Sequence, residues 1–370
     1  MANRKSLKEI AEATGYSIST VSRVLNDKAD VKDETRQRVL AVAGETAREA
    51  QARARSDGEF PTTTAPLIGF VNRFRAFGIH DHYVSRLVSA VNTRAFDHAY
   101  NLVMIEADSV YKEMRWPGRY SIFDHLAGVI WSMPVFEQVH KDFLRARRIP
   151  CVVINNKGRG VETPFVESDN LTAARQGVEY LVGMGHSKIG FIGGELTIAN
   201  MSDRYQGYLR HMKEFGLELN PDFVIDDLGR VDVPAAIEGA YRLIGRRNLP
   251  TALICTSQPV MLGVYDVFRR RGIRMPEDVS ILSFDDSELV RRLDPPMTTF
   301  RQPLDHMGEH AVDLLMDQIH HRVGVEQVPH VVEPMTLMVR ESVREIVGAD
   351  DSGRSADVPA EARSTDSEAR

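Results

Sequence analysis

Apolar residues in the first fifty positions recur at helical spacing. Leu7, Ile10 and Ala11 follow the capping pair Ser6 and Glu9, and Gly15 ends that run. Ser17 stands as cap of a second short helix that puts Val21, Val24 and Leu25 on one side. A third begins near the acids Asp33 and Glu34 and turns Val39 and Val42 inward. The pattern predicts a small all-α domain over residues 1–47. Residues 48–66 pass from Ala and Arg to Ser, Asp, Gly, Pro and threonines, the composition of a hinge or linker.

From Leu67 the pattern changes to apolar, strand-like runs alternating with helical ones. Strands are predicted at Leu67–Val71, Leu102–Glu106, Gly128–Ser132 and Cys151–Asn155, with helices at Tyr83–Tyr100 and Phe136–Arg147 between them. The second half repeats the scheme, with strands at Lys188–Gly193, Phe223–Asp226, Ala252–Thr256 and Ser280–Phe284 and helices at Leu171–Met184, Arg204–Phe215, Pro234–Arg246 and Val260–Arg271. Such alternation predicts parallel sheets with helices on both faces. The span 67–346 is long enough for two lobes. Residues 347–370 carry almost no large apolar side chain and read as a disordered tail without leucine heptads.

At 370 residues and 43% hydrophobic content, the chain supplies a sizeable core. The net charge of −6 argues against a nucleic-acid partner until it is divided along the chain. Residues 1–55 hold eleven basic and eight acidic side chains, which leaves +3 on the head and −9 on the rest. A basic head on an acidic body fits contact with phosphate at one end only. No signal peptide or long apolar run is present, so a cytoplasmic location and no membrane partner are expected. Cys151 and Cys255 lie in apolar runs and read as reduced core residues. No Cys/His spacing fits zinc and no Walker or dinucleotide fingerprint occurs, so neither metal nor cofactor is expected.

The outward side of the second helix is small and polar except for Ile18 and Arg23, a surface that enters a major groove without steric conflict. Arg23 suits the acceptor edge of guanine. Ser17, Thr20, Ser22 and Asn26 suit phosphate oxygens, and Ile18 and Ser19 face where base edges would lie, Ile18 toward a thymine methyl. The bland alternative is a helical bundle with a serine-rich surface.

The run Thr20-Val21-Ser22-Arg23-Val24-Leu25-Asn26, followed by Val31 and Thr35-Arg36, resembles the DNA-binding domain of the lactose-repressor (LacI/GalR) family. Further resemblances follow in family order: Leu126 to Ile130, Ile149 to Asn155, Asp169-Asn170, Gly185-His186, Ile189 to Gly194, Arg204 to Tyr208, Pro276 to Ser280, Phe284 to Asp286 and Thr298 to Pro303. The resemblance implies an N-terminal helix-turn-helix domain plus a two-lobed α/β sensor like the periplasmic binding proteins. It also implies a homodimeric repressor on a near-palindromic double-stranded operator, controlled by a small effector, a carbohydrate or its derivative.

Carried over residue by residue, Arg204 and Asp285 are implied ligand contacts, followed by Asp169 and Ser132. Ser257 stands where the family commonly has Asn, which implies a ligand larger or differently substituted than a plain hexose. Asn72, Arg73 and Phe77 follow the first predicted strand and can reach the pocket, Phe77 by stacking on a sugar face. Arg73 suits a carboxylate or phosphate, or is a solvated loop residue. The pair Asp285-Asp286 is expected to give one ligand contact and one cap. The stretch Arg48 to Asp57 holds no proline where the family has an Asn-Pro turn, and Asp57 stands where the family's minor-groove leucine belongs, so intercalation is not expected. Arg53 and Arg55 lie either along a minor groove and phosphates or in a solvated linker. A transport component would need an export signal and no DNA head, and no nucleophile or acid–base constellation for an enzyme can be assembled. Activation or co-repression stays open, since its sign depends on operator position and on the conformer the ligand favours.

Overall fold

The computed structural model describes residues 7–25, 31–32, 34–35, 38–39, 65–74, 81–115, 121–132, 136–155, 162–246, 248–321 and 328–346. The chain divides into two compact units, Met1–Ala65 and Pro66–Arg370. In the first, α1 (Leu7–Thr14) and α2 (Ile18–Leu25) pack through Ile10, Ala11, Val21 and Val24, with Val39 from a further helical stretch beside them. Gly15 joins the two helices at φ +76°, a left-handed turn that a side chain would strain. Ser17 accepts the Thr20 N–H at 3.1 Å and caps α2. Ser6, Asn26, Val42, the expected hinge with Arg53, Arg55 and Asp57, Phe77 and the expected tail lie outside the described residues.

The second unit holds two six-stranded sheets. The first contains β1 (Leu67–Asn72), β2 (Asn101–Glu106), β3 (Leu126–Ser132), β4 (Cys151–Ile154) and β5 (Phe165–Ser168), with α3 (His82–Asp97), α4 (Ala107–Arg115) and α5 (Gln138–Ala146) between them. The second contains β6 (Ile189–Ile192), β7 (Val224–Ile225), β8 (Ala252–Cys255), β9 (Ser280–Phe284) and β10 (Thr298–Arg301). Its helices are α6 (Asn170–Gly183), α7 (Ala199–Glu214), α8 (Val233–Ile244), α9 (Gln258–Arg270) and the short α10 (Glu288–Arg291). The chain then returns through α11 (Leu304–His321) and β11 (His330–Glu333) to the first lobe and ends on β12 (Thr336–Met338) in the second. The strand orders are β11-β5-β4-β3-β1-β2 and β12-β10-β9-β8-β6-β7, and every pairing is parallel except β10 with β12.

Both sheets are covered on both faces, which is why β4, β6, β8 and β9 read as unbroken apolar runs and are buried throughout. Ile68, Phe70, Leu87, Val91, Ala311 and Leu315 join the first sheet to α3 and α11, and Val71, Phe123, Val129, Trp131 and Phe143 fill its other side. In the second lobe α8 and α9 cover one face and α6 and α7 the other. There Gly207 lets the helices meet, for a Cβ on it would lie 2.5 Å from that of Ala174. Cys151 and Cys255 are free and buried. No described helix is long and apolar enough to cross a membrane, and no described group of three His, Cys, Asp or Glu residues could hold a metal ion.

The elements differ from expectation at helix starts and beyond β9, where α10, β10, α11, β11 and β12 were not expected. Helix α7 begins at Ala199, five residues before Arg204, because the polar Asn200 and Ser202 interrupt the apolar pattern but not the helix. Strand β7 is two residues, not four. Helix α4 and strand β5 were not expected; the first has few apolar positions and the second contains the buried Glu167.

Candidate functional site

In the first unit the exposed side of α2 is the candidate DNA-reading face. Val21 and Val24 are its buried anchors, which leaves Ile18, Ser19 and Arg23 exposed and Thr20 and Ser22 half-buried. Ile18 is 48% exposed, a large apolar side chain in water on a polar face. Ser17 Oγ lies 2.8 Å from the hydroxyls of both Ser19 and Thr20, so these groups hold the cap while facing outward.

In the second unit the candidate ligand site is built from the carboxyl ends of the strands. Parallel sheets end on polar residues there: Asn72 closes β1, Ser132 closes β3, Asn155 follows β4, Ser168 closes β5, Thr256 follows β8 and Asp285 follows β9. Open α/β sheets bind ligands at this edge, where helix N-termini and loop polar groups converge. The two sheets belong to two lobes that meet here. Tyr83, in the first turn of α3, packs against the cores of both lobes, and burial pushes its hydroxyl pKa up to about 12.

Arg204 is 1% exposed. Its Nε donates to Asn170 Oδ1 at 2.8 Å, its Nη1 donates to the Thr256 carbonyl at 2.5 Å, and its guanidinium lies over the Phe284 ring, 4.1 Å from the centroid. Burial lowers its pKa, and the nearby Asp285 carboxylate and Tyr83 work in the opposite direction. Arg204 and Asp285 therefore do share one region. Asp285 stands at φ +73°; its Oδ1 accepts from Gln302 Nε2 at 2.6 Å and its Oδ2 from the Gln258 N–H at 3.3 Å. Asp81 faces the same region: burial and the Asp285 charge raise its pKa, against the Val84 N–H that it accepts.

Most of the other expected contacts also have partners within the protein. Asp169 Oδ1 accepts the Thr172 N–H at 3.0 Å and caps α6. Ser257 Oγ accepts the Val260 N–H at 3.4 Å and caps α9. Arg73, which keeps part of its side chain in solvent, pairs with Glu195 of the other lobe at 3.4 Å. Ser132 is buried beside the Tyr83 hydroxyl. Asp286 is not a cap: Ser287 caps α10, while the buried Asp286 carboxylate takes Arg291, Arg301 and Arg340 at 3.0, 2.7 and 2.6 Å.

The residues that the sequence did not single out are Asp81, Tyr83, Thr256, Gln258 and Gln302. Their signal was position: each lies within a few residues of a strand's carboxyl end or opens the next helix. Several polar atoms of this region are buried with no protein partner, namely Asn72 Nδ2 and Oδ1, Ser132 Oγ, Arg204 Nη2, Thr256 Oγ1 and Gln258 Oε1. A shallow groove along Gln206, Leu209, Arg210 and Lys213 lies near the C-terminal end of α7, and none of these unpartnered atoms lines it.

A helix-turn-helix head and a two-lobed sensor define a DNA-binding transcriptional regulator that responds to a small ligand. Residues 6–47 match the model of bacterial regulatory proteins of the lacI family, and residues 178–343 match a periplasmic binding protein-like domain. The head is thus similar to the DNA-binding domain of lacI-family regulators and the second half to the periplasmic binding proteins. The HTH-type transcriptional repressor PurR of Pasteurella multocida (strain Pm70) is 27% identical over 343 residues, covering 91% of this chain and 98% of that protein. The ribose operon repressor of Haemophilus influenzae (strain ATCC 51907 / DSM 11121 / KW20 / Rd) is 27% identical over 337 residues, covering 91% and 98%. Among solved structures, a transcriptional regulator CelR–cellobiose complex matches with a TM-score of 0.66 and 25% identity over 92% of this chain and 100% of that one. A lac repressor dimer bound to operator and the anti-inducer ONPF shares the fold, with a TM-score of 0.64 and 22% identity over 91% and 98%.

Proposed function

We propose that this protein represses transcription as a homodimer on a near-palindromic operator, and that a hydroxyl-rich small molecule, a sugar or sugar derivative, sets its operator affinity from the cleft between the lobes. The observation that carries the effector reading is the set of buried polar atoms without a protein partner at the strand ends. Each such group costs about 1–3 kcal/mol when unpaired, so a ligand that answers them with hydroxyls gains affinity from groups already desolvated. The set mixes the Arg204 and Asn72 donors with the Asn72 and Gln258 acceptors, and the hydroxyls of Ser132 and Thr256 serve either way. Sugars offer that alternation. The names of the ribose operon repressor and of the cellobiose-bound CelR structure point the same way.

On DNA, the domain at 1–47 reads the operator through Ile18, Ser19 and Arg23, with Ser17, Thr20, Ser22 and Asn26 on phosphates. The segment 48–66 connects it to the sensor at 67–346, with Arg53 and Arg55 near the minor groove. Ligand closes the lobes, which changes the spacing of the two heads and hence affinity. Such a protein works in the cytoplasm, where its operator is, and needs no catalytic residue. The test is operator selection from random duplexes with the full chain, followed by gel shift with a panel of sugars. A selected near-palindrome whose binding responds to a sugar is expected; no preference for any duplex over bulk competitor sinks the reading. Arg23→Ala should weaken the selected operator by about 1–3 kcal/mol, with relaxed choice at a single base pair, if Arg23 reads a guanine edge.

A further inference from the structure

Gln302 occupies an unusual place in this fold. It follows β10 of the second lobe and precedes α11 of the first, so it lies on a crossover between lobes, and it is 8% exposed. Its carbonyl Oε1 accepts two hydrogen bonds, both from the first lobe: Asn155 Nδ2 at 3.0 Å and Ser168 Oγ at 2.9 Å. Its amide Nε2 donates to the second lobe's Asp285 Oδ1 at 2.6 Å. The chain of bonds extends at both ends. Asn155 Nδ2 also donates to the Tyr83 hydroxyl at 3.1 Å, and Asp285 Oδ2 accepts the Gln258 N–H at the start of α9, 3.3 Å away. Asn155 is itself fixed, since its Oδ1 accepts the Ser168 N–H at 3.0 Å.

The orientation of this amide is not arbitrary. Flipping it would set its NH2 against the Asn155 NH2 and its carbonyl against the Asp285 carboxylate, two repulsive contacts in place of two attractive ones. A side chain that accepts twice and donates once over this reach, with no proton to gain, is an amide. A carboxylate has no donor and a hydrocarbon has neither.

We propose that Gln302 is the positioning residue that couples the effector contact Asp285 to lobe closure, a role that rests on the cleft reading above. Asp285 stands in a left-handed conformation at the edge of the second lobe. Held only by its own lobe, it accepts the Gln258 N–H; held through Gln302, it is set in place by first-lobe donors. A ligand hydroxyl that donates to Asp285 therefore meets a carboxylate whose position depends on the lobes being together. Opening the lobes breaks the Asn155 and Ser168 bonds and releases Asp285.

The test needs no effector and no operator, so it can fail while the regulator reading stands. Backbone hydrogen exchange is followed in the full-length wild type, Gln302→Leu and Gln302→Glu at pH 8 and pH 5, corrected for intrinsic rates. The reporter is the Gln258 amide, with β6 and β8 as controls. Gln302→Leu should speed exchange at Gln258 by about tenfold at both pH values, the change expected when a charge-assisted bond loses its support. Gln302→Glu should behave like the leucine variant at pH 8, where two carboxylates repel, and return toward wild type at pH 5. There one proton shared with Asp285 restores a donor and an acceptor. The other charged or titratable groups around the position are Asp81 and Tyr83 of the first lobe, Arg204 of the second, and Arg301, Asp305 and His306 beside it in sequence; the wild type at both pH values serves as the reference for them. Unchanged Gln258 exchange in both variants overturns the proposal, as does a Gln302→Glu defect equal at both pH values. If the controls also loosen, recovery of Gln302→Glu at pH 5 still supports it and persistent loss overturns it.

Discussion

Replacing Arg204 with methionine separates what this side chain does for the fold from what it does for a ligand. Loss of the guanidinium leaves Asn170 Oδ1 and the Thr256 carbonyl without a donor, at about 1–3 kcal/mol each. It also removes the contact over Phe284, worth about 2 kcal/mol when desolvated. Against these stands the several kcal/mol spent on burying a charge, whose mark is the lowered pKa of Arg204 that Asp285 and Tyr83 do not fully restore. Methionine also refills much of the space with a flexible apolar chain. The terms nearly cancel, so the ligand-free protein should melt within about 8 °C of wild type, at about 2–4 °C per kcal/mol. The ligand response should vanish, because Nη2 is one of the buried donors left for it. In thermal denaturation, the sugar that shifts wild type at 100 times its Kd adds about 2.7 kcal/mol, and the variant should show none of it while its operator gel shift persists. A retained ligand shift, or a ligand-free loss beyond about 4 kcal/mol, would refute this account.

Asp286→Ala should destabilise the second lobe by about 3 kcal/mol in chemical denaturation, because it strands Arg291, Arg301 and Arg340 around a fully buried carboxylate site. Burial raises the pKa of Asp286, but the three arginines outweigh it and hold it below 3.8; its contribution is therefore present above about pH 4 and lost as pH falls through the folded value, a dependence Asp286→Ala should lack. His186 is neutral in the fold, with Nδ1 beside the Thr251 hydroxyl at 3.0 Å and Nε2 beside the Arg344 carbonyl at 3.1 Å, and burial lowers its pKa from 6.5 to about 4. The unfolded chain binds that proton first, so stability should be complete above pH 6.5 and fall by about 3 kcal/mol on the way to pH 4, a slope that His186→Gln should flatten in melts across that range.

The architecture was legible because period and burial agree. Strands such as Cys151–Ile154 and Ala252–Cys255 are apolar without interruption because they are covered twice, and the helices between them have one apolar stripe. The head was legible for the same reason, since Val21 and Val24 mark the inner side of α2 and the polar positions follow by exclusion. The pocket was legible only in part. Arg204 and Asp285 stood out through resemblance, as did Asp169 and Ser257, which also cap helices, because a polar residue before a helix satisfies backbone N–H groups whether or not a ligand is near. Tyr83, Asn155 and Gln302 were illegible as a group. Asn155 is 72 residues from Tyr83 and 147 from Gln302, and only the fold brings them together.

The same distances explain why sensing and motion share residues. The chain passes between the lobes three times, near Ser168–Asn170, Gln302–Leu304 and Glu333–Met335. Two of these crossings are tied directly, for the Asp169 N–H donates to the Glu333 carbonyl at 2.8 Å, and a second tie runs from Ser168 Oγ to Gln302. Crossings in this fold leave strands at their carboxyl ends, the edge where ligands bind. Whatever rotates the lobes must therefore turn about residues at that edge, and Arg204 and Asp285 lie within a side chain's reach of the pivot, bonded to Asn170 and Gln302. Movement of the two lobes as rigid bodies about that edge is what their separate, densely filled cores allow.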